Sequence, residues 1–401
     1  MNRIAFAGSA LTGAIYSSMI PVVALVTMSP RVYGTFSVPY LIFALGISLQ
    51  LSSITEAWAR RRAIVGSTAD WPDVWTALLT LSAIVAAAGG ALAFALEPLR
   101  PTAALLAAAV LLALLRNGAR FYAIAERRIR RTMLADASGI LAFVLITVLG
   151  SRSMGPLTAF VVAWCAAGAV SLAWNGRDLF RIGRGPANWL RTNASYIRPL
   201  LADSLLLDGG SIGTPFLLAP FLGATRFGIY RGIANVALPV RLLLEPARPA
   251  FGRIARRRLV SPPTVVLVTL AASVLGGLCA FALLVAVPLV PTHLGTLDSL
   301  VPEAVPASVF VTLSFIGHFY YITARTGAAP RTLLLGRIVQ TATAIGLPIL
   351  GLALGELNGA IWGFVAATAA SSITWLVLAV AGRGAGAIDT TSADISWTGV
   401  G

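Results

Sequence analysis

Stretches of about twenty apolar residues, separated by short arginine-bearing loops, recur from one end of this sequence to the other. A helix needs about that many apolar residues to cross a bilayer. Twelve such stretches are present, roughly 8–29, 35–58, 74–96, 102–122, 133–150, 157–174, 199–222, 228–250, 264–290, 303–323, 333–353 and 358–380. The runs are long and lack period-2 alternation, so they predict helices and not strands. Composition agrees. The chain is 57% hydrophobic and 11% charged, against about 45–50% and about 25% in soluble domains. A soluble enzyme, a disordered chain and a disulfide-rich secreted module are excluded. Only Arg3 precedes the first run, and no small-residue cleavage site follows it, so that run is expected to be a retained span.

The formal net charge is +15, and all 30 basic residues are arginine. In a soluble protein this excess would suggest nucleic acid. Its placement says otherwise. Twenty arginines fall in alternate loops and at both ends: Arg3, the 60–62 and 127–131 clusters, 177–198, 253–258, Arg325, Arg331 and Arg383. The intervening loops hold four, Arg31, Arg100, Arg152 and Arg226. The asymmetry follows the positive-inside rule and predicts both termini on the cytoplasmic face, with an even number of spans. No nucleic-acid partner is expected. The glycine-, serine- and threonine-rich tail after Arg383 reads as disordered.

The two halves repeat. Pro21 and Tyr33-Gly34 match Pro215 and Phe227-Gly228, each 194 residues on. GGALAFAL at 89–96 matches GGLCAFAL at 276–283, and RFYAIAER at 120–127 matches HFYYITAR at 318–325. RTML at 131–134 matches RTLL at 331–334, and Gly155 with Phe160-Val161 matches Gly359 with Phe364-Val365. Six spans per half run in the same sense, which predicts a pseudo-two-fold axis along the membrane normal. The expected fold is an all-α polytopic membrane protein of about twelve helices in two six-helix lobes. The lobes are 1–174 and 199–381, joined by a basic linker at 175–198 and followed by a tail at 382–401. Two lobes of this kind suit alternating access to a site between them. The loops are too short to form a catalytic domain outside the membrane.

Six arginines lie inside spans, where a charge is expensive. Arg116 and Arg120 are four apart on one helix face. Arg241 and Arg248 share a face with Glu245, in a span interrupted by Pro239, Pro246 and Pro249. Arg231 lies nearer the arginine-poor end, and Arg337 is in the eleventh span. Two readings stand: a cationic lumen whose planar guanidinia bind phosphate, or snorkelling toward headgroups. The span acids are Glu56, Asp136, Asp203, Asp208, Glu245 and Glu303. Asp203 and Asp208 precede Gly209-Gly210, which suggests a bent segment able to take a coupling cation or proton, or else structural pairing with span arginines. His318 aligns with Arg120 and joins Asp203, Asp208 and Glu245 as a coupling candidate. Cys165 and Cys279 read as packing residues, and no cofactor or metal spacing is present. Trp58, Trp71, Trp75, Trp174 and Trp189 lie near span ends and read as an interfacial aromatic belt.

Residues 30–62, PRVYGTFSVPYLIFALGISLQLSSITEAWARRR, and 223–258, GATRFGIYRGIANVALPVRLLLEPARPAFGRIARRR, share a pattern. A small helix-breaking turn leads to an aromatic-Gly pair, a long span and an arginine-rich end. In this the chain resembles bacterial polysaccharide flippases of the multidrug/oligosaccharidyl-lipid/polysaccharide exporter (MOP) superfamily. The resemblance implies a V-shaped pair of lobes with a cationic lumen. It also implies translocation of an undecaprenyl-diphosphate-linked oligosaccharide across the bacterial inner membrane for lipopolysaccharide or exopolysaccharide assembly, with a polymerase and glycosyltransferases as partners. The competing classes are a cation-coupled drug or metabolite exporter of the same superfamily, a major-facilitator-type transporter, and a membrane enzyme. The loop at 59–73, ARRRAIVGSTADWPD, lacks the Gly/Asp/Arg pattern of the major-facilitator class. Deep arginines outnumber deep acids, which disfavours an acidic lumen for cationic drugs.

Overall fold

Two helical segments of this protein are too long to cross a membrane once. Ala194–Leu244 and Arg331–Ala381 each contain 51 residues. At 1.5 Å per residue each would be about 77 Å long when straight, more than twice the hydrocarbon thickness of about 30 Å. Each folds back instead. The first turns at Gly223, whose φ of 69° is left-handed and open to glycine without a Cβ penalty. The second turns at Gly355 and Glu356. The ten apolar helices found among the described residues therefore make twelve crossings. The computed structural model describes residues 3–65, 71–174, 182–240, 242–244, 254, 256–325 and 330–381, and these contain no strand.

The first half comprises α1 (Arg3–Thr27), α2 (Pro30–Gln50), α3 (Glu56–Val65), α4 (Trp71–Ala95), α5 (Ala103–Ala125), α6 (Ile129–Gly150) and α7 (Pro156–Ala173). One wide turn of π-helix, Leu51–Thr55, joins α2 to α3. Then come α8 (Pro186–Thr192), α9 (Ala194–Asp208), a second π-turn at Gly209–Gly213, and α10 (Thr214–Val236). The second half continues with α11 (Pro262–Phe281), α12 (Ala304–Arg325) and α13 (Pro330–Ala381). Helix α6 packs on α1 and α7, and α5 on α4 and α7. In the second half α12 packs on α11 and α13. Where the glycines suggest a bent segment, the structure has the π-turn Gly209–Gly213.

Each half has an aromatic centre. Phe36 meets Phe160 edge-on at 5.3 Å, and Phe43 meets Trp164 at 5.1 Å. Phe364 lies 4.5 Å from Phe310 and 5.5 Å from Tyr230. Many apolar side chains of α11 point outward: Val266, Leu267, Leu270, Val274 and Leu278 are all exposed. Exposure of that kind suits lipid and not water.

The halves meet along α2 and α10. A Cβ on Gly34 would lie 1.8 Å from the Ala224 carbonyl, and a Cβ on Gly228 would lie 2.0 Å from the Pro30 carbonyl. Residues 30 and 224 are 194 apart, as are 34 and 228. The contact is therefore the same patch used twice, the mark of a two-fold relation. A one-sided clasp adds to it. Thr296, fully buried, donates its backbone N–H to Leu25 O at 2.9 Å and its hydroxyl to Met28 O at 2.8 Å. Leu25 is in the last turn of α1, whose carbonyls lack partners within the helix, and Met28 directly follows it. Both contacts lie at the arginine-poor end.

At the arginine-rich end the structure corrects the aromatic belt. Trp58, Trp71, Trp75 and Trp189 are each at most 3% exposed and form a second core with Tyr122. Only Trp174 of the five is exposed. Trp189 is on α8, in the linker, and its indole N–H donates to Ser53 O at 3.0 Å, inside the π-turn of the second span. Asp73 accepts the Arg184 N–H at 2.6 Å and the Asn188 amide at 3.2 Å. Residues 183–193 are thus docked on the first half. Residues 175–181 and the tail after Ala381 lie outside the described residues.

Candidate functional site

Arg116 and Arg120 lie on one face of α5, as their spacing requires. They turn into the first-half bundle. The Arg116 Nη2 donates to Asp136 Oδ1, and the Arg120 Nε donates to Asp136 Oδ2 at 3.1 Å. Arg120 Nη2 reaches the Ser9 carbonyl at 2.7 Å, and Thr12 Oγ1 donates to Asp136 Oδ2 at 3.3 Å. The Arg116 guanidinium sits 3.6 Å above the Tyr16 ring. Asp136 and Arg116 are 1% and 5% exposed, Arg120 19%. This cluster of α1, α5 and α6 lines a cleft with Thr132, Ala135 and Ser171. The sequence named Asp136 as a span acid without matching it to these arginines. A signal was available: Arg120 lies eight residues before Arg128 and Asp136 eight after, so the hairpin sets them at one depth.

The second half holds a smaller cluster on corresponding spans. Arg337 of α13 donates its Nε to Asp203 Oδ1 at 3.2 Å, Nη1 to Gln340 Oε1 at 3.0 Å and Nη2 to the Tyr321 hydroxyl at 2.9 Å. Its guanidinium also lies over the Tyr321 and Trp375 rings, at 4.8 and 5.8 Å. Arg337 is buried and Asp203 half-exposed. The polarity is exchanged between the lobes. The acid sits on the fifth span in the first half, and the base on the eleventh, its repeat partner, in the second. His318 is on α12, 6.2 Å from the Tyr321 ring.

Asp208 stands apart from Asp203. It is buried at the end of α9, against the π-turn, and faces Ser48 of α2. Its Oδ2 has no hydrogen-bond partner among the described residues. Thr341 and Thr214 hold this turn to α13 through Leu206 O at 2.7 Å and Ala344 O at 2.9 Å.

Arg231 is on α10, where the lobes touch. Gly228, Arg231 and Asn235 follow i, i+3, i+7 spacing and share a face. Gly228 abuts Pro30, and the Asn235 amide donates to the Tyr33 hydroxyl. Arg231 is 8% exposed among Tyr33 and Tyr230, and its Nε has no partner. Among the described residues no acid pairs with it. Arg241, Glu245 and Arg248 lie outside the described residues. The seven described site candidates thus form four separate places: the Arg116/Arg120 cluster, the Arg337/Asp203 pair with His318 nearby, Arg231 on the lobe contact, and Asp208 at the end of α9. No group of His, Cys, Asp and Glu able to hold a metal ion occurs among the described residues.

No protein-family model matches the chain, and no curated protein matches it. Solved structures do. The lipid II flippase MurJ, in an inward closed conformation, is 9% identical with a TM-score of 0.64, covering 94% of this chain and 87% of that one. An outward-facing multidrug resistance MATE family transporter of the MOP superfamily is 14% identical at 0.58, covering 94% of each. A MOP superfamily transporter from Pyrococcus furiosus, with a binding pocket of reversed polarity, is 13% identical at 0.58 and 94% of each. All three are transporters or flippases. At these identities the likeness is one of fold: this chain is a multi-pass membrane protein with the two-lobe fold of the MOP-superfamily transporters.

Proposed function

We propose that the protein is an alternating-access flippase that carries a lipid-linked oligosaccharide diphosphate from the arginine-rich leaflet to the opposite one. The observation that carries this reading is Arg231. A buried charge without a partner costs several kcal/mol, so a span arginine of this kind calls for an anion that arrives and leaves. Its place on the lobe contact is where a substrate held between rocking lobes would pass. A guanidinium offers the planar fork that a phosphate needs. Arg241 and Arg248 lie outside the described residues, and their sequence positions in the 228–250 stretch would suit an extension of a cationic path. Lobes of 1–174 and 199–381 move against each other around it.

The arginine-rich loops support a reading in which both termini face the cytoplasm and the membrane is a bacterial inner membrane. The glycan is destined for cell-surface polysaccharide, and glycosyltransferases and a polymerase act before and after the flip. The lipid II flippase among the fold neighbours supports a lipid-linked cargo. A second reading, a cation-coupled exporter of drugs or metabolites, is favoured by the buried, unpartnered Oδ2 of Asp208.

The experiment is flipping of a labelled undecaprenyl-diphosphate-linked glycan in proteoliposomes. Wild type is expected to translocate it and Arg231→Gln to lose at least about tenfold in rate, the loss of one charge-assisted contact. Unchanged flipping in Arg231→Gln would remove the basis of the proposal. Efflux of cationic drugs without glycan flipping would favour the exporter.

A further inference from the structure

The first-half cluster has one carboxylate and two guanidinia. Asp136 is the acceptor for both arginines, and among the described residues no second acid reaches either. The remaining partners carry no charge: the Ser9 carbonyl, the Thr12 hydroxyl and the Tyr16 ring. Arg116 makes no hydrogen bond besides that to Asp136 among the described residues, so its other N–H groups are available. The result is a net charge of +1 within a membrane-embedded bundle, where an uncompensated charge is strongly disfavoured. The cleft beside it is lined by Arg116, Arg120, Thr132, Ala135, Asp136 and Ser171 and has a volume of about 10 Å³. That is room for one water-sized ligand. A diphosphate head does not fit such a space.

We propose that this cleft binds one small monovalent anion of the halide class, as the missing counter-ion of the Arg116/Arg120/Asp136 cluster. The Thr132 and Ser171 hydroxyls already donate to the Arg128 and Ala135 carbonyls, at 3.1 and 2.7 Å. The donors left to the space are the remaining Arg116 N–H groups, which together with the net charge of +1 suit an anion and not a cation. The site is separate from the lobe contact and does not rest on the substrate proposed above. The ion lies between α5 and α6, two helices of one lobe, so it stabilises the lobe itself.

The test is thermal unfolding of the purified protein at constant ionic strength, with sodium chloride, bromide, gluconate or phosphate. Constant ionic strength removes differences in surface screening. Wild type is expected to show a saturable rise in midpoint with chloride and bromide, and none with gluconate or phosphate. Equal midpoints in chloride and gluconate would overturn the site. A rise with phosphate equal to that with chloride would overturn the halide assignment. Arg120→Gln removes the excess charge and is expected to abolish the halide response. Thr132→Asp supplies a built-in carboxylate, and should abolish it too while keeping the midpoint high without halide. Retention of the full halide response in Thr132→Asp contradicts the location. Anomalous diffraction from bromide-soaked wild-type crystals gives an independent reading. A peak in the cleft supports the proposal, and a peak only beside Arg231 refutes it.

Discussion

Gly34 and Gly228 are repeat equivalents that lie on each other across the lobe contact. A Cβ on Gly34 would stand 2.8 Å from the Gly228 nitrogen, and one on Gly228 would stand 3.1 Å from the Gly34 nitrogen. No side chain fits at either position with the lobes closed at this end.

Gly34→Ala and Gly228→Ala are therefore each expected to wedge the arginine-poor end apart. Overpacking of this kind costs about 1–3 kcal/mol, an about 5- to 150-fold shift between conformations. The symmetry adds a second expectation, that the two variants act alike. Met28, buried beside the clasp, is the reporter. In a background with Cys165→Ser and Cys279→Ser, Met28→Cys should react faster with an impermeant thiol reagent in either glycine variant. Equal rates in wild type and both variants would count against closure at this contact.

The repeat, the spans and the loop asymmetry were all legible in the sequence, because each is written along the chain. Span ends at Ala95, Gly150 and Ala173 fall within two residues of those read from hydropathy. Relations between helices were less legible. Arg116 and Arg120 announce a shared face, but only packing shows that the face turns into the bundle toward Asp136 and not into a lumen. Trp58, Trp71, Trp75 and Trp189 misled for a related reason. A tryptophan at a span end suits a lipid interface, and equally suits a docked linker. What separates the two is α8, whose apolar content is too short to register as a span. The sequence gives no hint that Arg231 lacks an acidic partner among the described residues, since that is a fact about neighbours.

Asp136 and Asp203 should differ sharply on neutralisation. Asp136→Asn leaves two buried guanidinia facing an amide and is expected to cost about 3–5 kcal/mol. Asp203 is half-exposed, and Arg337 keeps Tyr321 and Gln340 without it. Asp203→Asn is expected to cost less than about 1 kcal/mol. Thermal unfolding in detergent reads the contrast. Equal losses would mean that the two clusters are energetically equivalent despite their different burial.

Trp189 ties the linker to the second span. The π-turn at Leu51–Thr55 disturbs the regular hydrogen-bond ladder there, and the indole N–H serves Ser53 O. Trp189→Phe keeps an aromatic ring in the second core and removes the donor, leaving a buried carbonyl unserved at about 1–3 kcal/mol. Limited proteolysis within 182–193 should become faster, while Trp189→Ala should speed it further by losing the ring as well. Unaltered cleavage in both variants would show that α8 is held by Asp73 and its neighbours alone.

Glu303 gives a pH dependence with a defined sign. It immediately precedes α12 at the arginine-poor end, outside the spanning segment, and burial raises its pKa above the ordinary carboxylate range. The folded protein therefore holds this proton more tightly than the unfolded chain. Its contribution is fully present below the unfolded-state pKa and is lost as pH rises through the folded-state value. Glu303→Gln fixes the neutral state. It should leave the unfolding midpoint nearly unchanged at the acidic end of a pH 4–8 series, and raise it relative to wild type at pH 7–8. The wild-type minus variant difference isolates Glu303 from the other titrating groups. A difference that grows toward low pH instead would mean that the ionised form is the one the fold prefers, through a cationic partner at that loop.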